Sequence, residues 1–421
     1  MREMKDSGFE WIGEIPVNWE VDKLKFHLKR NESRNPGDTV VLSLYRELGV
    51  IPKDSRDDNH NVTSEDTSKY KYVQPGDFVI NKMKAWQGSV AVSEYEGIVS
   101  PAYFIYKFTD DAFYRRYFHY LLRSCYKDEF MRLSGGIRVG QWDLPSVALD
   151  NTAVIIPPMK EQKSIAAFLD VKCAEIDALT ADIQTQIDIL EQYKRSVITE
   201  AVTRGLNPDV EMKDSGNQYW GSIPTNWHLS DIKYLFEIIK RIAGKEGYDI
   251  LSVTQKGIKI KDISNNEGQV AESYANYQFV YPGDFVMNHM DLLTGWVDCS
   301  KLFGVTSPDY RVFRLRDKNN SLSYYKYIMQ TCYMNRIFYS LGQGVSNLGR
   351  WRLQTSSFNN FMVPVPPVEV QESIATYLDK KCTEINACID DKQRQLEVLE
   401  EYKKSLIYEY VTGKKEVPEN A

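Results

Sequence analysis

The chain has 421 residues, 43% of them hydrophobic, with 52 Lys and Arg against 58 Asp and Glu for a formal net charge of −6. That length suits roughly two to four domains, each with its own core. No low-complexity tract and no apolar run of ~18 residues is present, which argues against disorder and against a helical membrane span.

The opening, Met1-Arg2-Glu3-Met4-Lys5-Asp6, does not read as a signal peptide. Short runs rich in β-branched and aromatic residues follow: Val40-Val41-Leu42-Ser43-Leu44, Asp77-Phe78-Val79-Ile80 and Ala102-Tyr103-Phe104-Ile105-Tyr106. Gly, Pro, Asn and Asp bound them, so they are predicted strands. Pro75-Gly76-Asp77 reads as a turn before its strand rather than as an acid or base. Residues 111–131 carry Phe113, Tyr117, Tyr120, Leu121 and Cys125 at helical spacing.

Pro157-Pro158 then stands where proline is tolerated, at the first turn of a helix, with Glu161 favourable against the macrodipole. No Gly or Pro interrupts from Met159 to Arg204, so a helix of ~65 Å is predicted at ~1.5 Å per residue. Ile176, Leu179, Ile183, Gln186, Leu190, Tyr193 and Val197 recur along it at spacings of three and four. Arg204-Gly205-Leu206-Asn207-Pro208-Asp209 is turn chemistry.

Beyond that turn the chain begins again. Met4-Lys5-Asp6-Ser7-Gly8 returns as Met212 to Gly216, and Ile15-Pro16-Val17-Asn18-Trp19 as Ile223-Pro224-Thr225-Asn226-Trp227. Pro75-Gly76-Asp77-Phe78-Val79 returns as Pro282 to Val286, and Leu190-Glu191-Gln192-Tyr193-Lys194 as Leu399-Glu400-Glu401-Tyr402-Lys403. A near-constant offset over separated blocks is a duplicated unit with pseudo-two-fold symmetry, suited to a target with two halves. The predicted layout is a mixed α/β part over 1–155, a helical part over 156–208, a second mixed part over 209–364 and a second helical part over 365–421. Two antiparallel helices are expected to pair as a coiled coil through Ile176, Leu179, Ile183, Leu190, Tyr193 and Val197 against Ile385, Leu399, Tyr402 and Leu406. The tail after the second helix matches the linker after the first, so the chain ends are expected to lie together.

Charge is uneven. Residues 112–142 hold six basic and two acidic side chains, and 301–352 hold nine and two. Such gathering fits a footprint for phosphates or, equally, a solvated helix face. A polar stretch follows each Pro-Gly-Asp strand, 81–87 and 288–291, and a Gly-rich loop comes later, 134–142 and 342–352. Glycine permits close backbone approach, Arg can fork onto guanine, and Asn or Gln onto adenine. The residues expected to contact DNA are Lys82, Lys84, Gln87, Arg138 and Gln141 in the first copy. In the second they are Asn288, His289, Gln343, Ser346, Asn347, Arg350 and Arg352. The copies keep Gly and Trp in these loops but differ in polar side chains.

Motifs for catalysis are missing. The five histidines make no HxH or HExxH, no Cys/His cluster has zinc spacing, and neither GxxxxGK[ST] nor GxSxG occurs. Pro208-Asp209-Val210-Glu211-Met212-Lys213 only superficially echoes a nuclease site. The six cysteines include no CxxC pair and read as buried reduced thiols of a cytosolic protein.

Pro157-Pro158-Met159-Lys160-Glu161-Gln162 and Pro366-Pro367-Val368-Glu369-Val370-Gln371 open the two helical parts. Ser-Ile-Ala (164–166, 373–375) and Leu-Asp (169–170, 378–379) follow. With the Pro-Gly-Asp-Phe-Val turns and the Ile-Pro-x-Asn-Trp openings, this order, met twice, resembles the specificity subunit of a Type I restriction-modification system. Val370 in place of Glu161 is a minor departure. The resemblance implies two target recognition domains, each reading one half of an asymmetric bipartite site in double-stranded DNA. It implies a non-catalytic, cytoplasmic, prokaryotic chain without cofactor or metal. Two modification subunits with S-adenosylmethionine would methylate adenine, and restriction subunits would use ATP and Mg2+. Two rival readings are a scaffold that binds only proteins and a self-sufficient nuclease or methyltransferase.

Overall fold

The computed structural model describes residues 2–37, 39–46, 48–55, 63–64, 66–136, 142–262, 273–344 and 351–418. In the first copy, strands β1 (Leu28–Arg30), β2 (Phe78–Asn81), β3 (Val90–Val92) and β4 (Tyr103–Phe108) form an antiparallel sheet in the order β1-β4-β2-β3. In the second, β5 (Phe236–Ile239), β6 (Phe285–Met287), β7 (Val297–Cys299) and β8 (Arg311–Leu315) repeat that order as β5-β8-β6-β7. Alternate residues of a strand face opposite sides, and here both sides are covered. Phe78 and Ile80 join a core with Phe118 and Leu121, from helix α1 (Arg115–Cys125), while Val79 packs with Leu42, Val50, Val73 and Val99. Phe285 and Met287 face Tyr325 and Ile328, from helix α3 (Leu322–Met334), and Val286 packs with Leu251, Val253 and Val280.

The Pro-Gly-Asp turns are structural. Gly76 and Gly283 have φ 91° and 89°, which favours glycine. Buried Asp77 accepts from the Gln74 N–H at 3.0 Å, and buried Asp284 from the Tyr281 N–H at 2.8 Å. The helix predicted over 111–131 stops at Cys125 and resumes over Lys127–Leu133, turning its last turns onto the loop region. Its second-copy partner breaks at Arg336, held in the left-handed region at φ 55°.

The long helices are α2 (Met159–Arg204, 46 residues) and α4 (Val368–Val411, 44 residues). Each starts behind its Pro-Pro pair, and a glycine with positive φ follows its end: Gly205 at 79° and Gly413 at 71°. The repeated glutamines explain themselves at the helix starts. Gln162 is fully buried; its amide donates to the Ala112 and Pro157 carbonyls at 2.7 and 2.8 Å and its oxygen accepts from the Tyr114 N–H at 2.8 Å. Gln371 donates to Asn320 Oδ1 and the Pro366 carbonyl and accepts from the Ser321 N–H, at 2.9, 3.0 and 3.0 Å.

Contacts divide the chain into two compact units, Met1–Ile183 with Arg394–Ala421, and Gln184–Gln393. Each holds one globular part, the start of the helix that follows it and the end of the other helix. In the first, Phe168 meets Tyr410 with ring centroids 4.5 Å apart, and Lys403 Nζ reaches Asp177 at 2.6 Å. Leu406, Tyr410 and Val411 enter a core with Ile15, Trp19 and Leu169. In the second, Lys194 Nζ donates to Asn386 Oδ1 at 2.7 Å, and Ile198, Ala201 and Val202 enter a core with Trp227, Ile374 and Leu378. Partner numbers fall as helix numbers rise, so the helices are antiparallel within each unit. Arg2 lies 3.8 Å from Glu416, which brings the two ends of the chain together in the first unit.

Of the residues expected along the helix pair, Ile176, Ile183, Ile385 and Leu406 are buried, and Leu190, Val197 and Leu399 are half-buried. Leu179, Tyr193 and Tyr402 are instead 47%, 50% and 54% exposed. Ile187, Ile198 and Ile389 take buried places, because a 3.6-residue turn drifts off a strict three-four stripe and the tyrosines keep their polar tips in water. The cysteines are free thiols; Cys173, Cys332 and Cys382 are buried, whereas Cys388 is exposed.

Candidate nucleic-acid interface

At the end of β2 the backbone turns under Asn81, whose Oδ1 accepts from the Met83 N–H at 3.2 Å. Lys82 and exposed Lys84 follow, then a short turn over Ala85–Gln87. The stem of the Gly-rich loop is fixed by two backbone hydrogen bonds between Gly135 and Asp143, of 3.1 and 2.9 Å. The next residue, Leu144, donates its N–H to the Lys82 carbonyl at 3.0 Å, joining loop and strand end. Side chains reinforce the joint. Lys82 Nζ pairs with Asp143 at 2.7 Å, and the Trp86 and Trp142 rings lie 5.5 Å apart. Gln87 accepts from the Arg46 guanidinium.

The second copy builds the same joint from other residues. Gln343 and Arg352 exchange backbone hydrogen bonds of 2.9 and 3.0 Å, and the Leu353 N–H donates to the His289 carbonyl at 3.0 Å. Asn288 Oδ1 accepts from the Met290 N–H at 3.2 Å, and the Asn288 carbonyl accepts from the Tyr333 hydroxyl at 2.7 Å. Trp351 donates its indole N–H to the Tyr339 carbonyl at 2.6 Å and lies so close to Gly342 that a Cβ there would stand 2.3 Å from Nε1. Any side chain at position 342 would therefore have to displace the Trp351 indole. The structure thus gathers Lys82, Lys84 and Gln87 at one loop stem and Asn288, His289, Gln343 and Arg352 at the other. Arg138, Gln141, Ser346, Asn347 and Arg350 lie outside the described residues.

Arg311 is a residue that sequence reading missed. It is 4% exposed at the start of β8 and donates to the Leu353 carbonyl at 3.0 Å and to Thr355 Oγ1 at 3.3 Å. Its guanidinium lies 4.5 Å from the Phe358 ring centroid. Burial lowers its pKa to about 10. Beside it, burial and then the charges of Arg311 and Arg352 lower His289 to about 4, so its imidazole is neutral near pH 7. His289 Nδ1 is buried without a hydrogen-bond partner. The available signal was an Arg at a buried strand position that the first copy fills with Phe104.

Much of the basic charge seen in sequence has a structural use. Arg116 and Lys326, on matched helices, pair with Asp170 and Asp379 of the Leu-Asp motifs at 2.7 and 3.0 Å. Arg115 lies over Phe108 at 3.6 Å, and Arg132 pairs with Glu129. Fewer unpaired cations are therefore left in these stretches than charge density along the sequence indicates. Among the described residues, no cluster of His, Cys, Asp or Glu is placed to hold a metal, and no helix is long and apolar enough to cross a membrane.

Residues 16–188 and 224–398 each match the Type I restriction modification DNA specificity domain. The Type I restriction enzyme MjaVIII specificity subunit of Methanocaldococcus jannaschii is 23% identical, over 95% of this chain and 93% of its own. The EcoBI specificity subunit of Escherichia coli is 22% identical, over 84% and 76%. A solved chain from work on complex assembly and conformational transition of the type I R-M system shares the fold, with a TM-score of 0.67, 13% identity and coverage of 95% and 99%. The two matched segments fall on the two copies read from the sequence, and the chain belongs to the Type I restriction modification DNA specificity domain family. It is a specificity subunit, a DNA-recognition protein rather than an enzyme.

Proposed function

We propose that each globular part reads one half of an asymmetric bipartite site in double-stranded DNA, residues 1–155 one half and 209–364 the other. The observation that carries this reading is the pair of loop stems. One backbone framework is built twice, while the side chains at matched places differ: Lys82 against His289, and Asp143 against Arg352. Two readers of different half-sites need a common scaffold with different contact chemistry, toward the DNA backbone as well as toward the bases. In this reading two modification subunits using S-adenosylmethionine methylate adenine at the site, and restriction subunits using ATP and Mg2+ cleave, in the cytoplasm. The chain itself supplies recognition and no cofactor.

Methylome sequencing of cells with and without the intact system tests the proposal. A bipartite adenine-methylated motif should appear only with the system; an uninterrupted motif, or none, contradicts it. Arg138→Ala and Arg350→Ala should lower DNA affinity of the assembled complex without disturbing assembly. A base-reading Arg costs about 1–3 kcal/mol and relaxes one position of the motif. Unchanged affinity in both variants removes Arg138 and Arg350 from the interface.

A further inference from the structure

The two loop stems differ in electrostatic balance. In the first unit, three cations surround Phe104: Arg30, Lys71 and Lys82 lie 4.3, 5.7 and 5.9 Å from its ring centroid. Two carboxylates answer them. Arg30 pairs with Glu32, Lys71 Nζ is 3.6 Å from Glu32, and Lys82 is 2.7 Å from Asp143. In the second unit the matched positions hold Arg311 for Phe104, His289 for Lys82 and Arg352 for Asp143. Neither guanidinium has an ion-pair partner among the described residues. Among the described residues, Arg311 is answered by neutral groups: the Leu353 carbonyl, Thr355 Oγ1, Met287 Sδ and the Phe358 ring. The nearby acids do not compensate. Asp291 is taken by Thr294 and by the N–H groups of its own turn, and exposed Asp309 makes no ion pair among the described residues.

A buried cation without a counter-charge is costly unless something anionic completes it. Arg352 is the half-exposed member, and the buried Arg311 adds positive field behind it. The geometry points to an anion site at this stem: Arg352, backed by Arg311, takes a backbone phosphodiester of the half-site read by the second globular part. This rests on the DNA-reading function proposed above. The first stem has no counterpart at the matched position, which holds Asp143 paired with Lys82. The site would set the register of the second reader on the duplex without itself reading a base.

The test uses the chain assembled with its partner subunits, on duplexes carrying the bipartite motif found by methylome sequencing. Single methylphosphonate linkages, which remove one backbone charge, are scanned through both half-sites. One linkage at the second half-site should weaken the wild-type complex roughly tenfold and the Arg352→Gln complex less than about twofold. Arg352→Gln should also reduce the slope of log K against log salt by about 1 and leave the methylated motif unchanged. Arg352→Lys should retain the wild-type slope. The Arg352 backbone carries the stem hydrogen bonds, so these side-chain changes leave the stem intact.

An unchanged salt slope, no coupled linkage, or a coupled linkage in the first half-site overturns the proposal. So does a motif relaxed at one base in Arg352→Gln, which would make Arg352 a base reader. If the assembled complex modifies no bipartite motif, the DNA-reading proposal fails first and this one with it.

Discussion

Gln162 and Gln371 are the same device, used once in each copy. Each closes two hydrogen bonds from the start of a long helix to the segment that leads into a helix of its own globular part, and a third, buried, to the first carbonyl of its own Pro-Pro pair. Gln162→Ala leaves the Tyr114 N–H and the Ala112 and Pro157 carbonyls unpaired, which should destabilise the first unit by about 2–4 kcal/mol. Urea unfolding is the check, and a midpoint unchanged in both Gln162→Ala and Gln371→Ala contradicts the account. His119 gives a pH signature. Burial, with Arg123 and Arg116 nearby, lowers its pKa to about 3, and its Nδ1 accepts from the Val92 N–H. Unfolded, the imidazole titrates near ~6.5. Between these values the unfolded chain binds a proton that the folded one refuses. This contribution is therefore full above ~6.5 and falls by up to about 1.4 kcal/mol per pH unit as pH drops toward 3. His119→Gln should flatten the loss of first-unit stability between pH 6 and 4. An acid slope identical to the wild type would show that His119 is not held neutral.

Helices and strands were legible where their signals are local. Pro157-Pro158 and Gly205 bracket α2, and the uninterrupted stretch between them is the observed helix. Apolar runs ending at Ile80 and Tyr106 lie in observed strands of the sheet. What the sequence did not yield depends on contacts between distant residues. Nothing local separates Tyr193 and Tyr402, which face water, from Ile198 and Ile389, which do not. Nothing local marks Arg311 as the support of a loop 42 residues away. The candidate site was half legible: the strand ends and Gly-rich loops do meet, but Arg116, Arg132, Arg314 and Lys326, among the basic residues that drew attention to those regions, pair with acids of their own unit. Gly413 is a case where element and packing coincide. A Cβ there would lie 2.5 Å from Pro16 Cγ and 2.9 Å from Trp19, in a backbone conformation disfavoured for L-residues. Gly413→Ala should cost more than about 1 kcal/mol, whereas the equivalent Gly205→Ala, with Trp227 at 3.3 Å, should cost less. Thermal unfolding of the two variants compares them, and an equal loss would assign the effect to backbone strain alone.

At the scale of the molecule, the duplication gives two units with separate cores, each completed by the end of the other copy's helix. Phe168 against Tyr410 and Lys194 against Asn386 are the two forms of that completion. Such an arrangement lets one globular part change without repacking the other, provided the helix contacts are kept. The central claim is that the two parts read DNA independently. Replacing residues 1–155 by the matching segment of a relative, with Trp19 and the residues that bind Gln162 retained, and sequencing the methylome tests it most directly. The account predicts that one half of the methylated motif takes the donor's sequence while the other half is unchanged. A motif in which both halves change together would contradict independent reading.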